Sequence, residues 1–194
     1  MGPVYMDSDL YKALEAASYS LATYRDPALE RRVDDVIAKI AAAQRPDGYV
    51  NSWYQVNAPD KRFTNLRDHH ELYCAGHLFE AAVAHFQATG KRTLLDVACR
   101  YADLLASTFG SGPGKRMGYC GHPEVELALV KLSRAAGNPN YFELAKFFLD
   151  SRGTHFFAAE HKTPPNATTA PIGRTTCRSG STARSLGMRC ARRT

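Results

Sequence analysis

The 194-residue chain is long enough for one domain with a sizeable core, and 44% hydrophobic, 10% aromatic and 23% charged residues is an ordinary globular composition. No apolar run of about 18 residues or more occurs, so no helical membrane span is expected, and acidic residues stand where a signal peptide would be basic, which points to the cytoplasm. The net charge of +6 averages two unlike parts: residues 161–194 hold seven Lys or Arg and no Asp or Glu, whereas residues 1–160 hold 18 basic and 19 acidic side chains.

Helical periodicity dominates to about residue 152. Leu10, Leu14, Ala17 and Leu21 follow a helical spacing, with Asp7 or Ser8 as the expected cap. A second helix begins at "DPALERRVDDVIAKIAAAQ", with Asp26 as cap, Pro27 in its first turn and Val33, Val36, Ile37 and Ile40 as its apolar stripe. The turn "RPDG" ends it. Four more helices read as 68–89, 92–109, 122–136 and 139–151, and the segment "GYVNSWY" is the one β-like run. "ATGKRTLLDVACRYADLL" and "AAGNPNYFELAKFFLDSR" echo each other, each with a glycine stop, a short link and a new helix. Repeated helical hairpins imply a solenoid or an α/α toroid, and six helices make half of a six-hairpin ring. The expected fold is therefore all-α, half of an (α/α)6 barrel over residues 1–160.

The stretch "RDHHELYCAGHLFEAA" places His69, His70, Cys74 and His77 close together. On a helix, His70, Cys74 and His77 fall on one stripe at i, i+4 and i+7, a spacing compatible with a zinc-binding module. The competing expectation packs Cys74 and His77 into the core and exposes His69. No CxxC occurs among the five cysteines, Cys74, Cys99, Cys120, Cys177 and Cys190, so reduced thiols are expected. His122 opens another helix after "GSGPGKRMG", with Glu124 and Glu126 in its first turn. In a toroid the N-terminal ends of the inner helices share one mouth. His70, His122, Glu71 and the aromatic loop holding Tyr49, Trp53 and Tyr54 then face one pocket suited to a sugar; a packed cap is the alternative for that loop.

These residues resemble a known family. "DGYVNSWYQ", "NLRDHHELYCAGHLFEAAVAHFQATGKRTLLDVACRYADLL", "GHPEVELALVKLSRAAGNPNYFELAKFFLDSRG" and "HFFAAE" are similar to the bacterial β-L-arabinofuranosidases of glycoside hydrolase family 127, from about Met6 to Glu160. The resemblance implies an (α/α)6 barrel that binds a terminal L-arabinofuranose, with His70 and His122 as sugar contacts and Glu71 beside the first. It also implies a zinc-held cysteine nucleophile and a glutamate acid/base in the intact family. Nothing in this chain matches those last residues. No catalytic residue, no metal ligand and no cofactor is therefore expected here, and the partner is a carbohydrate, an L-arabinofuranoside.

The tail "HKTPPNATTAPIGRTTCRSGSTARSLGMRCARRT" lacks aromatics, acids and periodicity and reads as disordered. One reading is a basic arm for nucleic acid. The genetic code offers another. Shifted by one base, Thr175 to Arg192 can be spelled DHLPVREHREVVGHAVRA, which resembles the block that should follow in the family. A one-base slip between His161 and Ile172 then makes the arginine content an off-frame reading, with no nucleic-acid or membrane partner. Exposed helix faces on an open half-ring predict self-association.

Overall fold

The computed structural model describes residues 2–154 together with 156 and 157. The predicted disordered domain, 161–194, lies outside the described residues, as do Cys177 and Cys190. The described residues hold seven α-helices: α1 Met6–Thr23, α2 Pro27–Ala43, α3 Ser52–Asn57, α4 Glu71–Thr89, α5 Thr93–Thr108, α6 Val125–Ala136 and α7 Pro139–Ser151, with a 3-10 turn at Pro59–Lys61. Among the described residues no strand forms; Phe109 and Arg116 make an isolated bridge.

The helices pack as two rows of three. One row is α1, α4 and α6; the other is α2, α5 and α7; each helix of the first row also packs on the one that follows it as a hairpin. Such pairing is half of the ring expected from the sequence. The centre of the first row is α4, where 13 of 19 residues are buried, because α1, α5 and α6 all cover it. Gly76 lets α6 come close: a Cβ there would meet Glu124 at 2.8 Å and the Val125 nitrogen at 3.0 Å. On α5 the buried stripe runs through Leu94, Ala98, Tyr101 and Leu105, and each buried leucine contributes roughly 1.5–3 kcal/mol. Gly90 and Gly137, the two echoed stops, both end their helices in the left-handed region at φ 72° and 69°.

Local chemistry departs from expectation at two starts. Neither Asp7 nor Ser8 caps α1; Tyr5 holds that place, and Ser8 is buried with its hydroxyl donating to the Tyr5 carbonyl at 2.8 Å. Asp7 instead accepts from the Ser52 amide at 2.7 Å and from the Ser52 hydroxyl, tying α1 to α3. The cap of α2 is as expected, with Asp26 accepting from Ala28 and Leu29. The β-like run "GYVNSWY" finds no partner strand. Asn51 accepts from the Tyr54 amide at 3.0 Å and turns the chain into α3. No helix among the described residues is long and apolar enough to cross a membrane.

Candidate functional site

Two loops that precede helices of the first row lie backbone to backbone. The Gly121 amide donates to the Leu66 carbonyl at 3.1 Å, and a Cβ at Gly121 would collide with the Arg67 carbonyl. Leu66 and Cys120 are buried anchors on either side, 2% and 0% exposed. This contact brings His70, at the start of α4, against His122, which precedes α6. Their Nε2 atoms are 3.1 Å apart and their ring centroids 4.9 Å. The convergence expected of the two imidazoles is therefore present in the geometry.

Hydrogen bonds set the tautomers. His70 Nδ1 lies 2.5 Å from the Asp68 carbonyl, and a carbonyl only accepts, so Nδ1 carries the proton. In the neutral ring Nε2 of His70 is then an acceptor, and His122 Nε2 is the donor between them. Burial, with the nearby His70 and Arg152, lowers the pKa of His122, which keeps it neutral. His70 itself has φ 58°, a left-handed backbone that costs a non-glycine residue roughly 1–2 kcal/mol.

Tyrosines complete the wall. Tyr73 lies 5.6 Å from His70 and 5.1 Å from His122 between ring centroids, and Tyr5 lies 5.5 Å from His70. Lys12 donates to the Tyr73 hydroxyl at 2.8 Å. Neither tyrosine was singled out from the sequence. The signal for Tyr73 was available, since 70, 73 and 77 share a helical face as well as 70, 74 and 77 do.

The proposed metal triad does not form. Cys74 is turned into the core with its thiol 3.8 Å from the Tyr5 carbonyl, while His77 packs on Tyr73 and approaches Glu124 at 3.5 Å. Burial pushes the Cys74 thiol up to about 12 and the His77 pKa down to about 4. Among the described residues no group of three or more His, Cys, Asp or Glu side chains is placed to hold a metal ion. The zinc chemistry implied by the resemblance finds no fitting ligands here. His69 is partly buried rather than exposed, bonded through Nδ1 to Tyr54 at 2.7 Å.

Glu71 lies inside the fold. Its side chain is 0% exposed, one oxygen accepting from the Tyr49 hydroxyl at 2.5 Å and the other from the Phe63 amide at 2.7 Å. Both carboxylate oxygens are thus occupied by donors of the chain itself, which ties the start of α4 to the 49–63 loop. Tyr49 and Tyr54 are likewise 0% exposed, so that loop is a packed cap, with Trp53 partly buried beside His69.

Desolvation raises the Glu71 pKa to about 7, against the pull of its hydrogen-bond donors. A carboxyl whose folded pKa is raised favours folding while protonated, so its contribution is present at low pH and is lost as pH rises. Relative to Glu71→Gln, the wild-type chain should lose on the order of 3 kcal/mol between about pH 4.5 and pH 7. Urea unfolding of both proteins across that range measures it. Titrating groups elsewhere are common to both proteins, so a pH-independent difference would refute the assignment.

Comparison with known proteins shows the family. A family model described as β-L-arabinofuranosidase, GH127 catalytic domain, matches residues 1–179. A non-reducing end β-L-arabinofuranosidase of Bifidobacterium longum subsp. longum is 43% identical over 167 residues, covering 83% of this chain and 25% of that protein. The crystal structure of a GH127 β-L-arabinofuranosidase from Geobacillus stearothermophilus T6 superposes with a TM-score of 0.81 at 54% identity, over 84% of this chain and 26% of the other. A second GH127 β-arabinofuranosidase structure gives 0.77 at 42%, over 83% and 27%. This chain thus spans about a quarter of the length of these relatives. With a family model over most of the chain and relatives at 42–54% identity, the chain belongs to the GH127 β-L-arabinofuranosidase catalytic-domain family.

Proposed function

We propose that the described helices form one wall of a β-L-arabinofuranoside site, and that His70 and His122 are the residues that meet the sugar. The observation that carries this is the side-by-side placement of the two imidazoles on one edge of the first helical row, 3.1 Å apart at Nε2. When the hydrogen bond between them opens, the two ring nitrogens present one acceptor and one donor, which suits vicinal hydroxyls. The tyrosine rings supply apolar surface for the furanose carbons. Glu71 acts from beneath, by positioning the loop.

The same reading treats the chain as catalytically incomplete, with a one-base slip between His161 and Ile172 as the reason. Its support is the reading of Thr175 to Arg192 in the shifted frame, together with a composition that changes at residue 161. Leu10, Leu127, Phe142 and Leu149 are exposed on the helices, 43–56% accessible, which favours self-association.

Titration with methyl β-L-arabinofuranoside, followed through the histidine ring signals by NMR, tests the binding role. The signals of His70 and His122 should move together while that of His85 stays in place. His122→Ala should weaken binding by roughly ten- to a hundredfold, the effect of leaving a polar partner unmatched. Equal shifts at all histidines, or unchanged affinity in the variant, would sink the assignment.

A further inference from the structure

We propose that His70 and His122 also form a two-imidazole clamp for a borderline divalent transition ion, Cu2+ ahead of Ni2+ and Zn2+. This site is separate from the histidine–cysteine triad that the structure dissolves, and from the cysteine-held zinc that the family resemblance implies. It does not depend on sugar binding.

The argument is one of distances and lone pairs. Metal–imidazole bonds of about 2.0–2.1 Å put two cis nitrogens about 2.9 Å apart at a right angle and about 3.3 Å apart at a tetrahedral angle. The observed separation of 3.1 Å falls between these values. An ion therefore enters with little movement of either ring. His70 is already in the ligand form, because its Nδ1–H is held by the Asp68 carbonyl and its Nε2 lone pair is turned toward His122. That backbone bond is the outer-shell contact that orients metal-ligating histidines in general.

The exchange balances without a co-reactant. The Nε2–H···Nε2 hydrogen bond breaks, the proton of His122 Nε2 moves through solvent to its own Nδ1, and two Nε2–metal bonds form. Both rings stay neutral and no net proton is released. Both side chains are only partly buried, so water fills the remaining coordination positions. Imidazole donors select the later first-row ions over Mg2+ and Ca2+, which prefer oxygen.

The scaffold is built for the purpose of holding the pair rather than the ion. The Gly121–Leu66 backbone bond and the buried Cys120 and Leu66 fix the two loops relative to one another. Such preformed spacing lowers the cost of bringing two ligands together, which is what distinguishes this pair from scattered surface histidines.

The test titrates CuCl2 into the full 194-residue chain by calorimetry, with frozen-solution electron paramagnetic resonance of the loaded sample. The expected result is a single tight ion whose spectrum shows two equivalent imidazole nitrogens. His122→Gln should weaken it at least as much as loss of an outer-shell partner weakens a metal site, roughly 10- to 100-fold. His70→Asn, chosen because Asn tolerates the left-handed backbone, should do the same. His77→Ala and Cys74→Ala should leave affinity unchanged, and circular dichroism checks that each variant is folded. Retained affinity and an unchanged spectrum in folded His122→Gln would overturn the proposal. So would loss of the ion in His77→Ala or Cys74→Ala.

Discussion

The 194-residue chain should release no aryl alcohol from an aryl β-L-arabinofuranoside, with or without added zinc. Cleavage needs a nucleophile or an activated water on one side of the anomeric carbon and a positioned proton donor on the other. Two carboxyl-type groups must stand about 5 Å apart for a retaining route, or up to about 9.5 Å for an inverting one. The acids and thiols nearest the histidine pair are engaged elsewhere in the fold. The Cys74 and Cys120 thiols are buried and pushed up to about 12, so almost none is thiolate near neutrality. Glu71 is enclosed, with both oxygens held, and Glu126 is committed to an ion pair with Arg152. Glu124 approaches the His77 ring at 3.5 Å. Joining residues 1–160 in frame to the remainder of a GH127 relative should restore turnover. Hydrolysis by the purified chain that disappears in Glu71→Gln would show the incompleteness reading to be wrong.

Arg152→Met should be the most destabilising single change outside the apolar core. Arg152 and Glu126 meet through Nη2 and Oε1 at 2.5 Å, with side chains only 4% and 9% exposed. The guanidinium also lies over the Tyr119 ring at 5.2 Å. Burial raises the Glu126 pKa, and Arg152 is the main force holding it down. Removing the arginine strands a carboxylate in a dry site, which costs about 3–5 kcal/mol. The double variant Glu126→Leu, Arg152→Met should regain most of that loss, because two matched apolar groups need no solvation. Chemical denaturation of the wild type, both single variants and the double variant forms a closed cycle. A double variant as unstable as the two single losses added together would refute the pairing. Arg152 also helps to lower the pKa of His122, so the single variant should raise the pH at which that ring protonates.

Much of the architecture was legible from periodicity and punctuation. The stops at Gly90 and Gly137 and the cap at Asp26 are local signals with local causes, and the structure uses them as written. The histidine pair was legible through loop placement and family likeness. What escaped was orientation. A helical repeat of 3.6 residues lets 73 and 74 both accompany 70 and 77, and only the packing of α1 on α4 decides that Cys74 turns inward and Tyr73 outward. Glu71 was expected to face the pocket because it follows His70. The left-handed turn at His70 swings the next side chain down into the loop, a rotation no composition or spacing reports. Asp7 was misread for a similar reason: its partner, Ser52, is 45 residues away.

That left-handed turn sets two selections against each other. Glycine at position 70 would relax the backbone, and a library screened for heat tolerance alone should drift there. The imidazole would vanish with the strain. A lineage kept for its grip on a ligand must instead retain an awkward residue at the hinge between loop and helix, and find its robustness elsewhere in the molecule.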